Sequence, residues 1–288
     1  MNAAAPGTPA PWVDLHAHST ASDGALSPAA MVGAAHRSGL VAMALTDHDS
    51  VDGLPEADRA GRALGVRIVP GVELSAYEGA REIHILGLHL ASLAELERHL
   101  TTLRHVRRTR AERIVERLAV LQAPVSLDRV LAIAGPGAIG RPHIAQALME
   151  AGHVKDRREA FDRFLGAGRP AFFAKHRLTT REAVEMIHQA DGLAILAHPG
   201  SQGTRERVQQ FVSAGGDGLE VRHPGHTAED AARLGALVEH FRLVPSGGSD
   251  CHGAAEGPRA LGSMQVPGEW LDRQETRVRE RAARGKVA

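Results

Sequence analysis

Trp12-Val13-Asp14-Leu15-His16-Ala17-His18 is the stretch on which the fold turns. It opens as an apolar run and ends in two histidines two positions apart. On an extended strand, residues i and i+2 share a face, so His16 and His18 point the same way. Six more short apolar runs share this plan, at 40–48, 66–74, 82–89, 193–198, 218–223 and 243–250, and the polar residues gather at their ends. Asp47-His48-Asp49 closes the second run and Glu73 the third, His84 lies in the fourth, and His198 ends the fifth. Glu220 and His223 lie in the sixth, and Asp250 and His252 end the seventh.

Helix signals separate several of the runs. Ser27-Pro28 offers an N-cap and a pre-set first turn, closed at Gly39; a second helix spans about 52–64 before Gly65; a third spans about 179–190. Alternating strands and helices argue for a parallel sheet, open or closed. In α/β barrels the strand C-termini form the active-site face, so the polar run endings should surround one opening.

The alternation stops between 92 and 170. One long helical pattern covers 93–121, and shorter ones cover 127–134, 143–150 and 157–165, punctuated by Pro124, Gly135-Pro136-Gly137 and Gly166-Ala167-Gly168. This predicts an all-helical insertion at 92–170, acting as a substrate-binding cap, with the barrel formed by 12–91 and 171–288. Residues 1–11, rich in Ala and Pro, read as a disordered extension rather than a secretion signal. The tail from about 269 reads as a charged helix on the outside.

Composition narrows the partners. Lys plus Arg is 34 and Asp plus Glu is 34, which leaves no basic field for a long nucleic acid. Aromatic residues are 3% of the chain, too few for a base-stacking platform. A nucleic-acid substrate should be short and gripped locally. No apolar run approaches the roughly 20 residues that cross a bilayer. One cysteine excludes a disulfide within the chain and suits a reducing, cytoplasmic setting.

Taken singly, each polar residue has an ordinary explanation: His84 as a hydrogen-bonded core residue, Asp47 as a turn residue, Gly247-Gly248-Ser249 as a loop. Together they do not. Burying this many imidazoles and carboxylates at one end of a barrel is costly unless cations pair with them. Mixed His and carboxylate donors suit Mn²⁺, Zn²⁺ or Fe²⁺.

The run Asp14-Leu15-His16-Ala17-His18-Ser19 with Ser22-Asp23-Gly24 resembles the first signature of the polymerase and histidinol phosphatase (PHP) phosphoesterases. Thr46-Asp47-His48-Asp49, Gly71-Val72-Glu73, Ala197-His198-Pro199 and Gly248-Ser249-Asp250-Cys251-His252 resemble the later signatures, in order. Gly140-Arg141-Pro142-His143 and 165–170 are similar to the 3′,5′-nucleoside bisphosphate phosphatase and RNase AM subgroup. The resemblance implies a distorted (β/α)7 barrel holding two to three divalent ions, Mn before Zn, Fe or Mg. His16, His18, Glu73 and Asp250 would hold the first ion. Glu73 would bridge to a second, completed by His84 and His198. Asp23, His48 and His252 would hold the third, a weaker site or one for a harder ion, since some relatives have His in place of Asp23.

The implied nucleophile is a metal-bound hydroxide held by His16, His18, Glu73 and Asp250, so Cys251 is expected to be a packed neighbour. Arginines crowd 104–117, where Glu112 and Glu116 can pair with them locally. Arg107 and Arg110, with Arg141, His143 and His223, are the candidate substrate contacts, because the guanidinium fork binds phosphate oxygens bidentately. Glu220 is left open between supporting the ligands and a structural role. The expected reaction removes a terminal phosphate from 3′,5′-bisphosphonucleotides or trims short 5′-phosphorylated RNA. Histidinol-phosphate hydrolysis is the enzymatic alternative, and a metal-stabilised scaffold the non-catalytic one.

Overall fold

Trp12–Asp14 (β1) pairs in parallel with Ala42–Leu45 (β2), which pairs in parallel with Arg67–Glu78 (β3). This computed structural model describes residues 11–285 except 80, 136–138 and 175–176. The extension expected at 1–11 therefore lies almost wholly outside the described residues. Helix Pro28–Arg37 (α1) joins β1 to β2, with the Ser27 side chain capping its Ala30 amide. Helix Leu54–Leu64 (α2) joins β2 to β3 and ends at Gly65, whose φ of 73° is the left-handed conformation open to glycine.

The next strand departs from the all-parallel expectation. Arg81–Leu88 (β4) runs antiparallel both to β3 and to Leu193–Leu196 (β5). Parallel neighbours need a crossover of about a dozen residues or more. The two runs read from the sequence are too close for that: β3 ends at Glu78 and β4 begins at Arg81. The reversal brings the N-terminal half of β4, with His84, level with the C-terminal ends of the parallel strands. In register, Glu73 faces Leu86 and Ser75 faces His84.

From β5 the parallel pattern resumes through Gly218–Arg222 (β6) and Val244–Gly247 (β7). A short strand that the sequence did not signal, Val266–Pro267 (β8), pairs antiparallel with the start of β1. The end of β7 takes the continuation of β1. The Leu15 amide donates to the Gly247 carbonyl at 3.0 Å, and the His18 amide to that of Cys251 at 2.9 Å. These bonds close the barrel and set residues 16–18 against 248–252. Gly248 permits the approach: a Cβ there would lie 2.5 Å from the Cβ of His16.

Buried Val13, Leu15, Ala44, Val69, Leu86, Leu88, Ile195 and Val244 belong to one cluster of the barrel core. Long helix Leu93–Val120 (α3) follows β4, then Leu127–Ala134 (α4), Arg141–Glu150 (α5) and Arg157–Ala160 (α6), which continues as a π-helical turn over Phe161–Leu165. Residues Arg98–Arg177 form their own compact unit around Ile114, Leu118, Val130, Ile144, Leu148 and Leu165. The chain returns to the barrel unit through Thr180–Gln189 (α7), begun by a capping box between Thr179 and Glu182. Arg205–Ser213 (α8), Ala228–His240 (α9) and Gly268–Gly285 (α10) complete it. Among the described residues, no helix is long and apolar enough to cross a membrane.

Candidate metal centre

Polar side chains from several strand ends meet where the barrel closes, and Glu73 lies at their centre. Its Oε2 is 3.3 Å from His16 Nε2, 3.2 Å from His18 Nε2 and 3.3 Å from His48 Nδ1. Its Oε1 is 2.9 Å from His84 Nδ1 and 3.1 Å from His198 Nε2. One carboxylate thus serves two groups of imidazoles, one with each oxygen. Burial disfavours the Glu73 anion, but the surrounding imidazoles outweigh it and hold the carboxyl well below its ordinary range.

On β6, Glu220 sets the orientation of His16. Its Oε1 accepts from His16 Nδ1 at 2.9 Å and its Oε2 from the His198 amide at 2.6 Å. Burial raises the Glu220 pKa, but the neighbouring imidazoles lower it more, so the group is anionic and must accept. With Nδ1 donating, His16 turns Nε2 toward His18 Nε2 at 3.1 Å, Glu73 Oε2 at 3.3 Å and Asp250 Oδ1 at 3.5 Å. A set of acceptors converging at this distance is stable only around a cation, either a proton or a metal ion. Burial disfavours a charged His16, yet Glu220 and Glu73 raise its pKa well above the ordinary value. That negative field suits a divalent ion equally. Meanwhile the buried His18 Nδ1 has no hydrogen-bond partner among the described residues, and Asp23 Oδ1 lies 3.8 Å away.

A second opening is built the same way. His252 Nδ1 meets the Asp250 carbonyl at 2.9 Å and therefore donates, which leaves Nε2 facing Asp23 Oδ1 at 3.3 Å. The hydrogen bond with His252 is the main reason the Asp23 pKa falls to about 2. Buried Asp47 holds the loop that carries Asp23, accepting from the Ser19 amide at 2.7 Å, the Ser19 hydroxyl at 2.8 Å and the Ser22 hydroxyl at 2.7 Å.

Three donor groups therefore fit metal ions: His16, His18 and Asp250; His48, Glu73 and His84; and His18, Asp23, His48 and His252. They bring together eight of the nine residues that the resemblance implied, with His18 and His48 each shared between two groups; the ninth, His198, lies outside them, its Nε2 3.1 Å from Glu73 Oε1. His198 (φ 29°) and Asp250 (φ 50°) hold left-handed backbone, which costs about 1–3 kcal/mol per residue and persists where the surroundings impose it. A cleft of about 340 Å³ opens over the cluster, lined by His48, Glu73, His84, His198, Asp250 and His252, together with His223, His226, Gly225 and Arg259.

His223, a candidate substrate contact, is a donor to Asp250. Its Nδ1 accepts from the Gly225 amide at 3.0 Å, so Nε2 carries the proton toward Asp250 Oδ2 at 3.3 Å. Sequence reasoning missed Arg259 and the bracing role of Asp47, since neither lies on a strand and no periodic pattern marks them. Cys251, between two ligand positions, is buried and is not among the residues lining the cleft. Burial pushes its thiol pKa up, so it carries little thiolate at neutral pH. Cys251→Ser is accordingly expected to keep most of its turnover; loss of turnover with fold and metal content intact would reopen a covalent route.

The other candidate contacts belong to the helical unit. There Arg141 donates to the Leu165 carbonyl at 2.8 Å, and its guanidinium lies 5.4 Å from the Phe161 ring and 5.3 Å from that of Phe172. His143 Nδ1 accepts from the Gly140 amide, closing the start of α5. Arg110 donates to the Phe173 carbonyl at 2.8 Å, and Arg107 is partly buried on α3. Arg108 pairs with Glu112 on the helix surface, as the spacing suggested.

A barrel rim with shared carboxylates and imidazoles of this kind defines a metal-dependent hydrolase of phosphate esters, and comparison with known proteins agrees. The PHP domain family matches residues 14–167. A 5′-3′ exoribonuclease of Haemophilus influenzae is 36% identical, over 83% of this chain and 89% of its own. A 3′,5′-nucleoside bisphosphate phosphatase of Chromobacterium violaceum is 34% identical, over 88% of this chain and 91% of its own. Among solved structures, a candidate metal-dependent phosphoesterase of Bifidobacterium adolescentis superposes with a TM-score of 0.71 at 31% identity, covering 93% of this chain and 97% of its own. The chain belongs to the PHP domain family.

Proposed function

We propose that this phosphoesterase removes a terminal phosphate from 3′,5′-bisphosphonucleotides and trims short 5′-phosphorylated oligoribonucleotides, using two to three divalent ions, Mn²⁺ foremost. The observation that carries the proposal is the Glu73 carboxylate, which offers one oxygen to each of two imidazole groups beneath a single cleft. His16, His18, Glu73 and Asp250 would hold one ion; Glu73, His84 and His198 a second; Asp23, His48 and His252 a third. Bound divalent ions supply an activated water near neutral pH and offset charge on the phosphate oxygens. The residues around them do the positioning. Glu220 fixes the face His16 presents, His223 turns Asp250, and Asp47 steadies the loop of Asp23.

The choice of substrate is supported by the named activities of the two relatives and by the absence of net charge, which suits a small or short ligand. The Gly140-Arg141-Pro142-His143 run is our proposed source of contacts to the phosphate that is not cleaved, with Arg107 and Arg110 as further contacts. Purified protein with Mn²⁺ should turn over adenosine 3′,5′-bisphosphate and a 5′-phosphorylated short RNA far faster than histidinol phosphate. Preference for histidinol phosphate would overturn the assignment, and inactivity on all three would leave a scaffold.

Glu220→Gln tests the supporting layer. Gln keeps the shape but not the charge, so His16 loses its anionic acceptor. Partners of this kind contribute roughly 10- to 100-fold to metal affinity or activity, and the isostere should cost about tenfold of metal affinity, measured by chelator competition. Unchanged affinity would make Glu220 a fold residue only.

A further inference from the structure

Arg259 belongs to no sequence signature, yet among the described residues it is the one arginine lining the cleft over the metal donors. Its Nη1 donates to both Oδ2 and the carbonyl of Asp250. Its Nε and Nη2 have no hydrogen-bond partner among the described residues, and about half the side chain is exposed (49%). The loop beneath it is tied down on three sides. The Ala260 amide donates to the Gly257 carbonyl, the Ser263 hydroxyl to the Pro258 carbonyl, and the Gly262 amide to the buried Asp14 carboxylate. Arg259 is thus placed by a fixed turn.

We propose that Arg259 binds the phosphate that is cleaved, presenting the free edge of its guanidinium to the phosphoryl oxygens. A role limited to orienting Asp250 would be redundant, because His223 already donates to the same Oδ2. Two donors remain in a fork whose spacing matches a pair of phosphate oxygens. Arg259 lines the same cleft as Glu73, His84, His198 and Asp250. A fixed cation there would gain in value as charge builds on the phosphoryl group, since preorganised charge is worth more than charge that must be recruited. The inference rests on the phosphoesterase reading of the same site, and it separates two arginine roles. Arg259 acts on every phosphate ester, whereas Arg141 is proposed to act only where a second phosphate is present.

The test uses the full chain loaded with Mn²⁺ and compares wild type, Arg259→Ala and Arg259→Lys. The readouts are melting temperature, metal content, affinity for inorganic phosphate by calorimetry, and kcat/KM on p-nitrophenyl phosphate and adenosine 3′,5′-bisphosphate. In Arg259→Ala we expect unchanged metal content and fold, with phosphate affinity and both kcat/KM values falling by roughly ten- to a hundredfold, the range of a charge-assisted hydrogen bond. Arg259→Lys should fall between, keeping the charge but losing the fork. Phosphate affinity within twofold of wild type would overturn the proposal. So would a loss that follows metal content, which would make Arg259 a positioning residue for Asp250. If wild type itself neither binds phosphate nor hydrolyses either ester, the proposed function fails, independently of Arg259.

Discussion

Glu73→Ala is expected to lose metal from two sites at once and to lower turnover on the order of a thousandfold or more. The reason is geometric. Each oxygen of this buried carboxylate lies within 3.3 Å of imidazole nitrogens belonging to a different group. Its removal takes an anionic donor from both and leaves five imidazoles with one carboxylate fewer to offset the charge of the ions. Metal content per chain, measured on dialysed protein beside wild type, gives the direct readout, with kcat on a bisphosphate as the second. Wild type should hold at least two ions. Loss of one ion alone would mean that Glu73 does not bridge, and full occupancy with near-native turnover would remove it from the centre.

Arg141→Ala should lower kcat/KM for a 3′,5′-bisphosphate by roughly ten- to a hundredfold while leaving p-nitrophenyl phosphate almost untouched. A hydrogen bond to a charged group contributes about 1.5–3 kcal/mol net, and about 1.4 kcal/mol is a factor of ten. The selectivity follows from the proposed role, a hold on the phosphate that is not cleaved. Arg141 also donates to the Leu165 carbonyl and lies beside two aromatic rings, so its loss has a structural cost in the helical unit. The paired assay separates the two. Equal losses on both substrates would assign Arg141 to the fold, and no loss on either would make it a surface residue.

Much of the barrel was legible because its strands are short apolar runs that end in chemistry. His16 and His18 share a face by alternation alone, and the structure turns both onto Glu73 and Asp250. Strand direction was less legible. An apolar run carries no arrow, and only the short gap between the third and fourth runs signalled that β4 reverses. Helices α8 and α9 begin at Thr204 and Thr227, whose side chains accept from backbone amides three residues on. Those caps were present in the sequence but passed unread beside the stronger run endings. The supporting groups were the hardest to see. Glu220, His223, Asp47 and Arg259 act through partners 22 to 204 positions away, or from a loop without periodicity. Their roles exist only once the chain is folded around them.

Ring closure, described above through the Leu15–Gly247 and His18–Cys251 hydrogen bonds, bears on biosynthesis. The donors divide between the end of β1 and the segment that follows β7, more than 200 positions apart in the chain. The local β3–β4 hairpin can form early, because its loop is short and cheap to close. His16 and His18 cannot meet Asp250 and His252 until synthesis has passed residue 252, so a nascent chain short of that point carries histidines but no full ion-binding set. An ion that binds only the closed ring stabilises that state by mass action and no other. Loading with metal would then act as a checkpoint on the closed barrel, telling closed rings from open ones before any substrate arrives.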